Sequence, residues 1–265
     1  MILVNGLEVN TNSTFPDGTL LMKYQYEEIG FHSWIDVEWK YENDGELFAL
    51  ICLTKKLPTD RKKELILKYI PHARMDRVKN PDDVFTLKYF CEIINSLNYD
   101  KVKVLDAHSN VSLALLNNVE QMDVSVHINR AIFNCKNGDD FVLYHPDEGA
   151  MKRYSEYNTW LPYTFGIKKR NWEDGKILGV QIADPDMIKG KDVLIIDDIC
   201  SRGGTFYYSA KALKEAGAKD IYLYITHCEN TILNGDIFTS GLIKQVYTTD
   251  SLVHCNELKE KIIYV

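Results

Sequence analysis

Short apolar runs alternate along the chain with stretches whose apolar positions recur every three or four residues. The pattern predicts strands at 2–4, 20–26, 33–39, 48–53, 65–70, 102–105, 141–144, 164–167, 193–196 and 221–225. The run at 193–196 contains no polar residue, as expected of a strand buried on both faces. Helical spacing is clearest at 84–97, where Val84, Leu87, Phe90 or Cys91, Ile94 and Leu97 share one face. Further helices are predicted at 111–116, 128–133 and 151–160, with a connecting helix opening over 59–63. Another starts at Thr205 and stops at Gly217. Residues 236–265 add two or three strand-like pieces and a short helix near Glu257. This alternation predicts an α/β fold with two related lobes, each a mainly parallel sheet flanked by helices. The lobes are expected at 1–134 and 135–265, with the C-terminal tail packing back on the first.

Composition narrows the class. The 265 residues are 45% hydrophobic, enough for a sizeable core, and no apolar run reaches membrane-spanning length. A net charge of −7 argues against a broad nucleic-acid surface but leaves room for a local basic pocket. Six cysteines, at 52, 91, 135, 200, 228 and 255, form no CxxC pair, which reads as free thiols in a reducing compartment. The start MILVNGLEVN lacks a basic region followed by a long apolar one, so a soluble, cytoplasmic protein is expected.

The chemistry concentrates where the run at 193–196 ends. Residues 197–204 read Asp-Asp-Ile-Cys-Ser-Arg-Gly-Gly, a polar loop before the helix at Thr205. Gly203 and Gly204 let backbone N–H groups approach an anion, and the helix N-terminus adds unpaired donors and a positive dipole end. Ser201 and Thr205 offer hydroxyls. Asp197 and Asp198 stand at the carboxyl end of a central strand, where ligands of open α/β sheets bind. Adjacent carboxylates there can accept from two ribose hydroxyls or reach Mg²⁺ through water. A plain strand-to-helix turn is the alternative, and two acids directly behind an apolar strand weigh against it.

Other polar segments also follow strands. Arg74-Met75-Asp76-Arg77 can clamp a phosphate or stack on a base, with the aspartate fixing one guanidinium; a solvated loop with a surface salt bridge is the alternative. Asp106-Ala107-His108 places a histidine for a metal or phosphate, although a lone histidine is more often structural. Pro146-Asp147-Glu148-Gly149 fits a metal or ribose site, or a turn with a helix cap. Lys168-Lys169-Arg170 leads into a polar stretch, 171–176, expected to be mobile; a basic cluster on a mobile loop can close over a polyphosphate, and a solvated hairpin tip is the alternative. Phe15-Pro16-Asp17-Gly18-Thr19 is a turn by its Pro-Asp-Gly alone.

In this order the segments resemble the ribose-phosphate diphosphokinase family, the PRPP synthetases, and more broadly the type I phosphoribosyltransferase fold, over nearly the whole chain. Residues 15–18 resemble the family's Phe-Ser-Asp-Gly-Glu, 73–77 its Ala-Arg-Gln-Asp-Arg, 106–108 its Asp-Leu-His, 146–149 its Pro-Asp-x-Gly and 168–170 its Lys-Arg-Arg. The resemblance implies transfer of the β,γ-diphosphate of Mg-ATP to the anomeric hydroxyl of a ribose phosphate. It implies that Lys168 and Arg170 are catalytic, that Asp17, Gly18, Thr19, Arg74, Met75, Asp76, Arg77 and His108 bind ATP, and that His108 and Asp147 hold Mg²⁺. Asp197, Asp198, Ser201, Arg202, Gly203, Gly204 and Thr205 would hold the acceptor. A homodimer or larger assembly is implied as well, with small-molecule partners and neither nucleic acid nor membrane.

Departures shape the expectation. The family's Asp-Thr-Gly-Gly-Thr reads Ser201-Arg202-Gly203-Gly204-Thr205 here, so an acid is lost and a rigid bidentate donor gained. An acceptor with a 5-diphosphate, such as ADP-ribose, becomes a sensible guest and would feed nucleotide or NAD⁺ synthesis. Thr19 and Met75 replace the family's Glu and Gln at the adenine, and the chain is shorter than typical members. A PRPP-consuming phosphoribosyltransferase would need only the loop at 197–205, and a non-catalytic homologue would not need Lys168, Arg170, His108 and Asp147.

Overall fold

The computed structural model of the chain describes residues 1–25, 33–138, 140–157, 160–170 and 177–265, with the side chains of 168–170, 177 and 178 not among them. It divides into two compact units, Met1–Asp123 with Ser251–Val253, and Val124–Asp250 with His254–Val265.

The first unit runs β1 (Ile2–Val4), β2 (Leu7–Val9), β3 (Trp34–Trp39), α1 (Gly45–Lys56), β4 (Lys62–Leu67), α2 (Thr86–Ser96), β5 (Lys101–Leu105), α3 (Asn110–Leu115) and β6 (Val119–Met122). Its sheet has the order β2-β1-β3-β4-β5-β6. Strands β3 to β6 are parallel, and β1 joins β2 and β3 antiparallel. The β1–β2 hairpin turns at Asn5-Gly6, both with positive φ (47° and 82°); Asn-Gly is the strongest short hairpin signal, so β2 was legible in the sequence. Ile35, Val37 and Trp39 on β3, Leu65 and Leu67 on β4, and Val102 and Val104 on β5 form one core with the buried faces of α1 and α2. Alternate positions on the same strands are charged, and Lys103 Nζ lies 2.6 Å from Glu64 Oε1 across β5 and β4.

Three expectations are corrected here. Residues 48–53 are helical, inside α1. The buried residues are Glu46, Ala49, Leu50, Leu53 and Thr54, a 3.6-residue stripe, whereas Phe48 is 60% exposed. A six-residue apolar run cannot by itself separate the two periods. Residues 62 and 63 begin β4 rather than lie in a helix, because pairing with β3 and β5 overrides the local pattern. Residues 20–25 form no strand: Leu20 makes a single bridge to Thr14, and residue 26 lies outside the described residues.

The second unit runs α4 (Ser125–Cys135), β7 (Phe141–His145), α5 (Glu148–Tyr154), β8 (Tyr163–Arg170), β9 (Ile177–Ile182), β10 (Asp192–Cys200), α6 (Gly204–Glu215), β11 (Ile221–Cys228), β12 (Gln245–Thr248), α7 (Asn256–Lys259) and β13 (Ile262–Tyr264). The order is β13-β12-β11-β10-β7-β8-β9, parallel except for the β8–β9 hairpin. Residues 254–265 therefore complete the second unit's own sheet.

Alternation along the central strands splits this unit's core in two. Val142, Tyr144, Val193, Ile195, Leu223 and Ile225 pack with Phe206, Ala210 and Leu213 of α6. Phe141, Leu143, Leu194, Ile196, Tyr222 and Tyr224 pack with Ile128, Ala131 and Ile132 of α4 and with Ala150 and Tyr154 of α5. The sheet is thus covered on both faces, as the polar-free run at 193–196 requires. Among the described residues, all six cysteines are free, and no helix is long and apolar enough to cross a membrane.

Candidate active site

The second unit's sheet reverses its winding between β7 and β10. From β7 the chain moves outward through β8 and β9, then returns to the other side of β7 with β10 and continues to β13. Ligands of open α/β sheets bind in the crevice outside the carboxyl ends of strands at such a reversal. Here those ends carry His145-Pro146-Asp147 after β7 and the segment from Asp197 to Gly203 at and after β10.

The acid pair belongs to β10 itself, since the strand runs to Cys200 and the loop is only 201–203, shorter than expected. Successive strand side chains point to opposite faces. Ile195 belongs to the α6 core and Ile196 to the α4–α5 core, so Asp197 takes the α6 side and Asp198 the α5 side. The structure therefore does not bring the two carboxylates to one diol. Asp198 is 6% exposed; its Oδ1 accepts from the Ile199 N–H at 2.8 Å and its Oδ2 from Arg153 Nη1 at 2.6 Å. Asp197 is partly exposed, and its Oδ1 accepts from the Asp198 N–H at 3.0 Å.

Helix α6 opens on Gly203, whose φ of 78° is left-handed, and no side chain caps the helix. Its first-turn N–H groups are left for an anion. Cys200 and the following loop are held by the segment after β11. Glu229 N donates to the Cys200 carbonyl at 2.9 Å. Ser201 Oγ lies 3.0 Å from Thr231 Oγ1, which donates to Glu229 Oε2 at 3.1 Å. Gly204 and Arg202 are exposed, and Arg202 forms no ion pair among the described residues. Arg153, Glu229, Thr231 and Gly235 were not found from sequence. The need of a buried Asp198 for a counter-charge was the one signal that pointed to a base such as Arg153.

Across the crevice, Asp147 caps α5, its Oδ1 accepting from the Ala150 N–H at 3.0 Å. The turn-and-cap reading of Pro146-Asp147-Glu148-Gly149 is thus realised, and one carboxylate oxygen is committed to the helix. Among the described residues, no group of three or more His, Cys, Asp or Glu side chains is arranged to hold a metal. Mg²⁺ does not need such a cage, because it keeps several waters and takes one or two protein ligands beside substrate phosphates.

Lys168, Lys169 and Arg170 lie at the end of β8, not in a loop, paired with Val180, Gly179 and Ile177 of β9 with a register shift between 169 and 170. The polar stretch 171–176 lies outside the described residues. β9 went unpredicted although Ile177, Leu178, Val180 and Ile182 are apolar. At the base of β8, Gly166 faces the Tyr144 hydroxyl and the Pro146 carbonyl oxygen, which a Cβ would approach to 2.7 Å.

In the first unit, Asp76 is 6% exposed and receives Arg77 bidentately, Nε to Oδ1 at 2.7 Å and Nη2 to Oδ2 at 3.0 Å. The Arg77 hydrogen bonds, outweighing burial and helped by the neighbouring Ser109 and His108, hold this carboxyl below its usual range. Residues 76–77 and 108–109, from the ends of two neighbouring strands, are therefore brought together. Arg74 and Met75 are exposed beside them. Residues 15–19 form an exposed turn with Gly18 at φ 84°. Asp17 Oδ1 accepts from the Thr19 hydroxyl at 2.7 Å and its N–H at 3.0 Å, which lowers the Asp17 pKa.

Residues 155–231 match the phosphoribosyl transferase domain family. The chain is 25% identical over 256 residues to the putative ribose-phosphate pyrophosphokinase 2 of Streptococcus pyogenes serotype M18, covering 95% of this chain and 78% of that protein. It is 28% identical over 261 residues to the ribose-phosphate pyrophosphokinase of Thermoplasma volcanium, covering 93% and 88%. Among solved structures it is similar to the phosphoribosylpyrophosphate synthetase of Mycobacterium smegmatis, with a TM-score of 0.75 at 16% identity over 97% of this chain and 86% of that one. Two mainly parallel sheets flanked by helices, a phosphoribosyltransferase match spanning the β10–α6 loop and relatives of one kind covered over most of their length make the chain similar to the ribose-phosphate pyrophosphokinases (PRPP synthetases), which are transferases.

Proposed function

We propose that this enzyme transfers the β,γ-diphosphate of Mg-ATP to the anomeric hydroxyl of ribose 5-phosphate, giving PRPP and AMP. The observation that carries the reading is the uncapped N-terminus of α6 behind Asp197, in the crevice between β7 and β10. An uncapped helix end supports an anion site there, and the Asp197 carboxylate supports a ribose-hydroxyl acceptor. The 5-phosphate would sit on residues 201–205, with Asp197 accepting from the ribose hydroxyls. The O1–Pβ bond forms as the Pβ–O bond to AMP breaks, and the hydroxyl proton passes to water. Such a transfer needs positioning and charge stabilisation more than covalent catalysis. Lys168 and Arg170 would stabilise the transferring phosphoryl group, and Arg74, Met75, Arg77 and residues 17–19 would engage ATP, with Asp76 fixing Arg77. His108 in the first unit and Asp147 in the second would each serve Mg²⁺. The ion, when bound, neutralises charge on the phosphates. A cytoplasmic homodimer or larger assembly is part of the same proposal.

A second acceptor, ADP-ribose, is favoured by one observation. The Arg202 guanidinium is exposed and unpaired among the described residues beside the α6 N-terminus, where a second phosphate on C5 would meet it. That version would feed NAD⁺ synthesis. Both are tested by incubating the protein with Mg-ATP and each acceptor and following AMP release and the anomeric diphosphate by ³¹P NMR. Turnover of ribose 5-phosphate alone removes the ADP-ribose version. No AMP with either acceptor removes the diphosphokinase reading.

A further inference from the structure

The acid pair at the end of β10 is chemically unequal, and Arg153 makes it so. Asp198 is nearly buried on the α5 side of the sheet, and a carboxylate there needs a fixed cation and its own hydrogen bonds to stay ionised. Both are present. The Ile199 N–H takes Oδ1, and Arg153 Nη1 takes Oδ2 at 2.6 Å. Arg153 itself is held, with its guanidinium carbon 5.8 Å from the ring centre of Tyr154, a side chain that packs into the same core. The contact bridges 45 residues of chain and spans the reversal point of the sheet, joining the helix after β7 to the end of β10.

We propose that Arg153 is a positioning residue of the acceptor site, acting through Asp198 and not on the acceptor. By occupying Asp198 it withdraws one of two neighbouring carboxylates from the ligand and fixes the last turn of strand. Asp197 is then the single carboxylate presented on the α6 side, next to the anion-binding helix end. Helix α5, capped by Asp147, is tied to β10 by the same pair, so the nucleotide and acceptor halves of this unit share one anchor. The proposal rests on the reading of the β10 end as the acceptor site.

The test compares Arg153→Met, Arg153→Lys, Asp198→Asn and the Arg153→Met/Asp198→Asn double variant of the full chain, with ribose 5-phosphate and Mg-ATP as substrates. Arg153→Met should lower kcat/KM for the acceptor by about 100-fold, with the KM for ATP within about twofold of wild type. Arg153→Lys should recover much of the loss, because the charge returns without the fork. The double variant should outperform Arg153→Met by about tenfold, because no uncompensated carboxylate remains. Strict additivity of the two substitutions, or an ATP KM that rises together with the acceptor KM, would overturn the proposal and place Arg153 on the nucleotide. If wild type turns over no acceptor, the functional reading fails, while thermal melting of the same four variants still decides the pair. Non-additive shifts in Tm support it, and independent shifts overturn it.

Discussion

The α-carbon of Gly235 packs directly on the main chain of Arg202: a β-carbon at 235 would overlap the Arg202 carbonyl oxygen and lie 2.9 Å from its carbonyl carbon. The obstacle is backbone, so it cannot swing aside as a side chain would. Gly235→Ala should therefore push the loop 201–203 away from its support and cost about 1–3 kcal/mol. The measurements are urea denaturation and the KM for ribose 5-phosphate, which should rise while the KM for ATP stays put. An unchanged acceptor KM would show that the loop tolerates displacement.

Gly166 gives a parallel case at the base of β8. A side chain there would meet the Tyr144 hydroxyl and approach the Pro146 carbonyl oxygen to 2.7 Å. Gly166→Ala should displace the strand that ends in Lys168 and Arg170 and so lower kcat. The companion Gly166→Ala/Tyr144→Phe removes the hydroxyl but keeps the carbonyl contact, and should restore only part of the activity.

The end of the second sheet is pinned by a neutral histidine. His254, 3% exposed, has its Nε2 2.7 Å from the Cys228 carbonyl and its Nδ1 2.7 Å from the Tyr264 hydroxyl. The carbonyl can only accept, so Nε2 donates and Nδ1 accepts from Tyr264. Burial is the first cause that lowers the His254 pKa from 6.5, with the Cys228 carbonyl hydrogen bond and Asp250 opposing and Lys259 adding. A depressed folded-state value means that the unfolded chain binds the proton more readily. The contribution of His254 is therefore fully present above pH 6.5 and is lost as pH falls below it. Melting curves of wild type should shift down in Tm across this range, and His254→Gln should flatten that part of the profile.

Two further substitutions separate binding from chemistry. Asp197→Asn should raise the KM for ribose 5-phosphate with little change in the KM for ATP, because its carboxylate is the proposed acceptor for the ribose hydroxyls. Lys168→Ala should leave both KM values near wild type and lower kcat by about 100-fold or more, the usual effect of removing a donor used only in the transition state. Equal effects of Lys168→Ala on KM and kcat would assign it to ground-state binding.

Local signals carried much of this reading. The runs at 141–144 and 193–196 became the two central strands, the spacing at 84–97 became α2, and Gly203 opened a helix where a glycine pair suggested one. Errors arose where a short run fits both periods, as at 48–53, or where pairing partners override local preference, as at 62–63.

The chain by itself determined which chemical groups follow which strand, because periodicity, turn residues and glycine content act within a few residues of one another. That includes the loop at 201–205, proposed here to cradle a phosphate with its own backbone and the helix it starts. Only the tertiary structure decided how those groups divide the work. Alternation along β10 and the assignment of one face to α5 and the other to α6 separate Asp197 from Asp198. Arg153 and Gly235 enter from 45 and 33 residues away in sequence, through contacts that no local pattern encodes because they depend on strand order.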